Sequence, residues 1–150
     1  MLKALAFSGL LLISGPDFGP SDKMFEELKT APTEEEANDI ALDIWASWME
    51  SGSHAADLVM ERSFQAQSFG DLERARALYD RVIAIHPDYA EAWNRRATLF
   101  LCQENYNDAL RDVNEALRLE PRHFGDWGGL GAVLQRLGSK ADAIHTYQKA

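Results

Sequence analysis

Residues 90–123 read AEAWNRRATLFLCQENYNDALRDVNEALRLEPRH, and this stretch decides the fold because its landmarks recur at a fixed distance on either side. Ala75, Ala109 and Ala143 lie 34 residues apart, as do Trp93 and Trp127, and Pro87 and Pro121. Gly70, Glu104 and Gly138 keep the same spacing, and so do Asp71, Asn105 and Ser139. A period of this length marks one helix–turn–helix unit used several times, each copy burying its apolar face on the next.

Each landmark has a local physical reason. The alanines fall where two antiparallel helices cross closely, and a larger side chain would force them apart. Tyr79, Val113 and Tyr147 stand four residues further on, on the same helix face. Gly70 and Gly138 suit the left-handed residue that ends a helix. Asp71, Asn105 and Ser139 suit the cap that starts the next one. Pro87 and Pro121 close the second helix of their units. The spacing predicts helices at 57–69 and 72–85, 91–103 and 106–119, 125–137 and 140–150. The connections are short, so neighbouring helices must run antiparallel.

On these residues the chain resembles the tetratricopeptide repeat family, whose unit runs Trp, Leu-Gly, an aromatic, the crossing Ala, a second aromatic and a closing Pro. One unit offers Trp127, Leu130-Gly131, Leu134, Ala143, Tyr147 and Ala150; the one before it offers Trp93, Arg96-Ala97, Phe100, Ala109, Val113, Ala116 and Pro121. The first offers Val59, Arg62-Ser63, Ala66, Ala75, Tyr79, Val82 and Pro87. Arg62 and Arg96 replace the usual Leu, and Glu104 replaces the turn Gly. The resemblance implies an all-α, right-handed solenoid of stacked antiparallel helix pairs. Its units would be 56–89, 90–123 and 124–150, the last incomplete where the sequence reaches Ala150.

The resemblance also implies a job: holding a protein or peptide segment rather than catalysing a reaction. The first helix of each pair would line a concave face. Asp57, Met60, Phe64 and Gln67 would face inward from the first unit, and Glu91, Asn94, Thr98 and Leu101 from the second. Gly128, Ala132 and Gln135 would do so from the third. Some family members clamp a partner's terminal carboxylate with Lys and Asn. Met60 and Phe64 stand where that clamp needs polar groups, so it is not carried over.

The frame extends one unit upstream. Phe25 and Leu28 occupy the Trp and Leu positions, and Ala41 and Trp45 the crossing-Ala and aromatic positions. Residues 16–55 thus read as a linker plus a degenerate capping pair, with helices near 22–30 and 34–50, that shields the first full unit. Thr33 followed by Glu34, Glu35 and Glu36 makes a good helix start. Trp45 and Trp48 read as core packing against 57–69 rather than as a ligand-binding pair.

Residues 1–15, MLKALAFSGLLLISG, have Lys3 before an apolar run from Ala4 to Ile13. That run is too short for a membrane span but suits the core of a signal peptide. It predicts a periplasmic or secreted protein with no stable membrane span; the alternative is a buried N-terminal helix in a cytoplasmic chain.

The net charge of −9 is concentrated early, with ten acidic against two basic side chains between residues 17 and 50. Nucleic-acid binding needs the opposite balance. Cys102 is the only cysteine, so neither an internal disulfide nor a cysteine-based zinc site can form. His54, His86, His123 and His145 show no ligand spacing and read as surface or junction residues. No cofactor is expected. Asp108 and Asp112 read as a solvated helix face. Of Arg95 and Arg96, one reads as bridging a neighbouring helix and the other as solvated. Gly125, Gly128, Gly129 and Gly131 lack the strand and Lys-Ser/Thr of a phosphate loop and read as loosening their helix.

Two other readings remain open from sequence. The last helix could dock on another chain in a homo-oligomeric scaffold, or the repeats could be an accessory to a longer protein.

Overall fold

The structure is a computed structural model that describes residues 19–150, so the segment read as a signal peptide lies outside the described residues. Eight helices follow in order among the described residues: α1 Asp22–Thr30, α2 Glu34–Trp48, α3 His54–Ser68, α4 Leu72–Ile85, α5 Ala90–Cys102, α6 Tyr106–Leu119, α7 Phe124–Arg136 and α8 Lys140–Tyr147. From α3 to α8 each helix packs on the next, and α5 also touches α7. The result is an all-α solenoid of three helix pairs, α3–α4, α5–α6 and α7–α8.

The repeated residues make repeated contacts. Ala75 and Ala109 are 0% exposed and Ala143 is 2% exposed, as a close crossing requires. Trp93 Nε1 donates to the Pro87 carbonyl at 2.8 Å, and Trp127 Nε1 to that of Pro121 at 2.9 Å. The second and third units thereby tie their first helix to the turn before it. Tyr79 OH donates to Gln67 Oε1 at 2.7 Å and Tyr147 OH to Gln135 Oε1 at 3.2 Å, joining the two helices of the first and third units.

The three helix–helix turns share one backbone shape. Gly70 and Gly138 sit at φ +77° and +86°, and Glu104 holds the same left-handed region at +59° despite its side chain. The caps are less uniform than expected. Asp71 accepts from Arg74 N, but Asn105 and Ser139 make no cap bond, and Asn105 Nδ2 donates to Asp108 instead.

Several charged groups expected in water are buried. Asp112 is 0% exposed, with Arg96 Nε and Nη2 donating to it at 2.6 and 3.0 Å. Arg96 Nη1 reaches Asp80 at 2.7 Å, so the arginine in the family's Leu position clamps α4, α5 and α6. Arg95 is half-buried and bonds Glu91 on its own helix.

The largest departure concerns α1 and α2. Their bounds match the expected helices, but they do not stack as a preceding repeat. Ala92 and Leu99 of α5 are buried in a core shared with α3 and α4. The residues 34 positions earlier, Leu58 and Gln65 of α3, are exposed, as is Arg62, which matches Arg96. Phe69, at the end of that stripe, is 88% exposed. The flank where a preceding pair would stack is therefore bare, and α2 is seated elsewhere.

Candidate protein-binding face

The 34-residue period sorts the inner side of α3, α5 and α7 into rows. The lowest row is Asp57, Glu91 and Gly125, and the next is Met60, Asn94 and Gly128. Above these come Phe64, Thr98 and Ala132, and then Gln67, Leu101 and Gln135. The residues of these rows are not equally open.

Met60 is 2% exposed and belongs to the core between α3 and α4, so it presents nothing to a partner. Glu91 is 1% exposed and faces protein instead of solvent. Phe64 is half-buried, edge-on to Tyr79, with the Arg95 guanidinium 5.1 Å from its ring centre. Asp57 is spent on structure, accepting from Ser51 N at 3.1 Å and Ser51 Oγ at 2.5 Å. Asn94 Nδ2 donates to Glu91 Oε2. Gln67 and Gln135 accept from tyrosines, which leaves their amide nitrogens free to donate to a ligand. Thr98 and Gln135 are exposed, and Leu101 and Ala132 are half-buried. A notch of about 20 Å³, lined by Asn94, Ala97, Thr98, Leu101, Val113, Gly129 and Val133, opens between α5 and α7.

In the second and third units the lowest row is covered by α2. Trp48 stacks on His123 at 3.8 Å between ring centres, and Trp45 meets the same ring edge-on at 5.0 Å. Both tryptophans also contact Phe124 edge-on. This is the packing expected against 57–69, transferred to the start of α7. Gly125 has a reason here other than loosening its helix: a Cβ on it would collide with the Trp45 ring. Tyr89 OH donates to the Met49 carbonyl at 2.7 Å, and Arg122 binds Asp22 at 2.5 Å and lies over the Phe25 ring at 4.3 Å.

Beneath the tryptophans lies a buried polar cluster that the sequence reading missed. His123 is 0% exposed rather than a surface residue. Its Nδ1 accepts from Asp126 N at 3.1 Å, which leaves Nε2 to donate to Glu91 Oε2, also at 3.1 Å. Burial alone would raise the Glu91 carboxyl. The His123 and Asn94 hydrogen bonds and the Arg95 charge outweigh it and hold the group below its ordinary range. Asp126 has no such help. Both its carboxyl oxygens are buried without a hydrogen-bond partner, and burial, with the Glu91 charge behind it, pushes its pKa up to about 8. Only the period could have signalled any of this, by placing Gly125 in line with Asp57 and Glu91.

Among the described residues no helix is long and apolar enough to cross a membrane.

Comparisons with known proteins agree with this architecture. Two tetratricopeptide repeat family models match, one over residues 56–99 and one over 90–123. A TPR repeat-containing protein of Rhizobium etli is 35% identical over 128 residues, covering 85% of this chain; the chain spans 63% of that relative. The Sgt2 TPR domain from Aspergillus fumigatus superposes with a TM-score of 0.62 at 20% identity, over 65% of this chain and 64% of that one. The second TPR of Spaghetti (RPAP3), bound to the HSP90 peptide SRMEEVD, does so with a TM-score of 0.62 at 24% identity, over 64% and 89%. At these identities the two structures speak for the fold alone. Family match, period and helix pairing coincide on the same residues, and the chain belongs to the tetratricopeptide repeat family.

Proposed function

We propose that this chain is a non-enzymatic interaction module that captures an extended segment of a partner protein on the upper rows of its inner face. The observation that carries this reading is the pattern left open there. Apolar Phe64 and Leu101 alternate with Gln67, Thr98 and Gln135, and the notch between α5 and α7 has room for one small apolar group. Apolar anchors fix position, and side-chain amides bond a peptide backbone. The peptide bound by the second TPR of Spaghetti supports the reading as analogy in fold. Capture of a partner by the full chain should fail with Leu101→Glu and with Phe64→Glu while helical content by circular dichroism stays at the parent level. Undiminished capture by both variants would place the site elsewhere.

A second reading rests on the last unit, where Leu137 is 41% and Ile144 61% exposed. Two copies would join through this face, and molar mass should then rise with concentration. A constant monomer mass would dismiss it. The run from Ala4 to Ile13 gives the module an exported location; N-terminal sequencing of soluble protein that still begins at Met1 would refute export.

A further inference from the structure

The seat of α2 on the inner face reveals what that face accepts. A preceding repeat would lie on the stripe of Leu58, Arg62, Gln65 and Phe69, and the frame of Phe25, Leu28, Ala41 and Trp45 is the frame of such a repeat. The hairpin leaves that stripe bare and inserts Trp45 and Trp48 over the lowest row of the second and third units. A helix carrying two large aromatic rings three residues apart thus already sits where a partner of the array would sit.

This seat is imperfect. Both carboxyl oxygens of Asp126 are buried there with no hydrogen-bond partner. Native interiors leave few such groups unpaired. An open cavity of about 250 Å³ lies beside Trp48, with Gly19, Tyr89, Glu91 and Glu120 in its wall. A longer or better-fitted helix could fill that cavity, while the hairpin has a bare flank of its own array to move to.

We propose that the α1–α2 hairpin is a displaceable, built-in occupant of the lowest row. The partner of that row is then an amphipathic helix presenting two large aromatic side chains three residues apart to the His123–Glu91 platform. This rests on the inner face being the partner-binding surface, and it names the partner class for the part of that face the hairpin covers. The rings stack on and against the His123 imidazole, which Glu91 and the Asp126 amide hold in place from below. Bare backbone at Gly125 lets the second ring approach.

The probe is a labelled synthetic peptide of residues 33–50, followed by fluorescence anisotropy against the full chain and against the full-length Trp45→Ala/Trp48→Ala variant. The variant, whose own hairpin can no longer compete, should bind the peptide at least about tenfold more tightly than the parent, since a face already occupied lowers apparent affinity by its free fraction. His123→Ala added to the variant should abolish the gain, and Leu101→Glu added instead should leave it intact. No binding to the variant, or equal binding to parent and variant, overturns the proposal. If circular dichroism shows the double variant to have lost its helices, Trp48→Leu, which keeps apolar bulk, is measured in its place under the same criteria. The Leu101→Glu arm keeps this outcome apart from that of the upper rows. Peptide binding can fail here while partner capture there still depends on Leu101, and the reverse.

Discussion

Asp126 shows how one side chain can make the molecule sensitive to pH. Its carboxyl is enclosed by α7, the Glu91 and Arg95 side chains of α5, and the His123–Trp48 stack, and nothing donates a hydrogen bond to it. The folded chain therefore keeps the proton up to about pH 8, whereas an unfolded Asp releases it near pH 4 (about 3.9). The fold binds more protons than the unfolded chain between those values. The stability Asp126 contributes is full below about pH 4 and declines as pH rises toward about 8. Asp126→Asn should flatten the fall in thermal midpoint between about pH 5 and 8 and exceed the parent in stability at the alkaline end. A parent profile as flat as that of the variant would refute the buried-acid account. Glu104 is a second residue-scale case. It stands at φ +59° where its repeat-mates are glycines. A left-handed non-glycine costs roughly 1–2 kcal/mol, and glycine's extra unfolded freedom returns about half of that. Glu104→Gly should stabilise by up to about 1 kcal/mol in urea unfolding; a net loss would mean the Glu104 side chain has a role of its own.

Between helices, the Arg96–Asp112 pair replaces apolar packing with a buried bidentate bridge, and Asp80 accepts a further arm. Removing one partner strands a charge, while removing both does not. Arg96→Leu, which restores the residue usual in the family, should therefore cost about 3–5 kcal/mol. The Arg96→Leu/Asp112→Leu double variant should regain most of that, as read by denaturant midpoints. A single variant within about 1 kcal/mol of the parent would show that Asp112 finds water or another partner. The helices themselves were largely legible: α4 and α6 fall where the period puts them, and the others within a turn or less. The burial of Asp112 was not, because an i, i+4 pair of acids looks the same in sequence whether it faces water or an arginine of the neighbouring helix.

Across the whole molecule, α5 and α6 are packed on both sides, whereas α1 and α2 pack on each other and hold the array through Trp45, Trp48, Phe25 and the 49–51 connection. Regions with fewer buried contacts open at lower free energy. Amides of α2 should thus exchange hydrogen well before those of α5 and α6, and Trp48→Ala should widen the gap. Equal protection of the hairpin and the central pair would show that they open as one unit.

The period of 34 determined the helices and their antiparallel pairing. These depend on local geometry and on contacts between adjacent elements, and both repeat with the sequence. Tertiary structure alone decided where α1 and α2 go. Their residues fit the frame of a preceding repeat, but the alternative seat packs two tryptophans against His123, Phe124 and Gly125, about 75 residues further along the chain. A hydrophobic pattern specifies that a face must be buried. It does not say against which surface, and in this protein that choice covers the lowest row of the inner face and leaves the upper rows open.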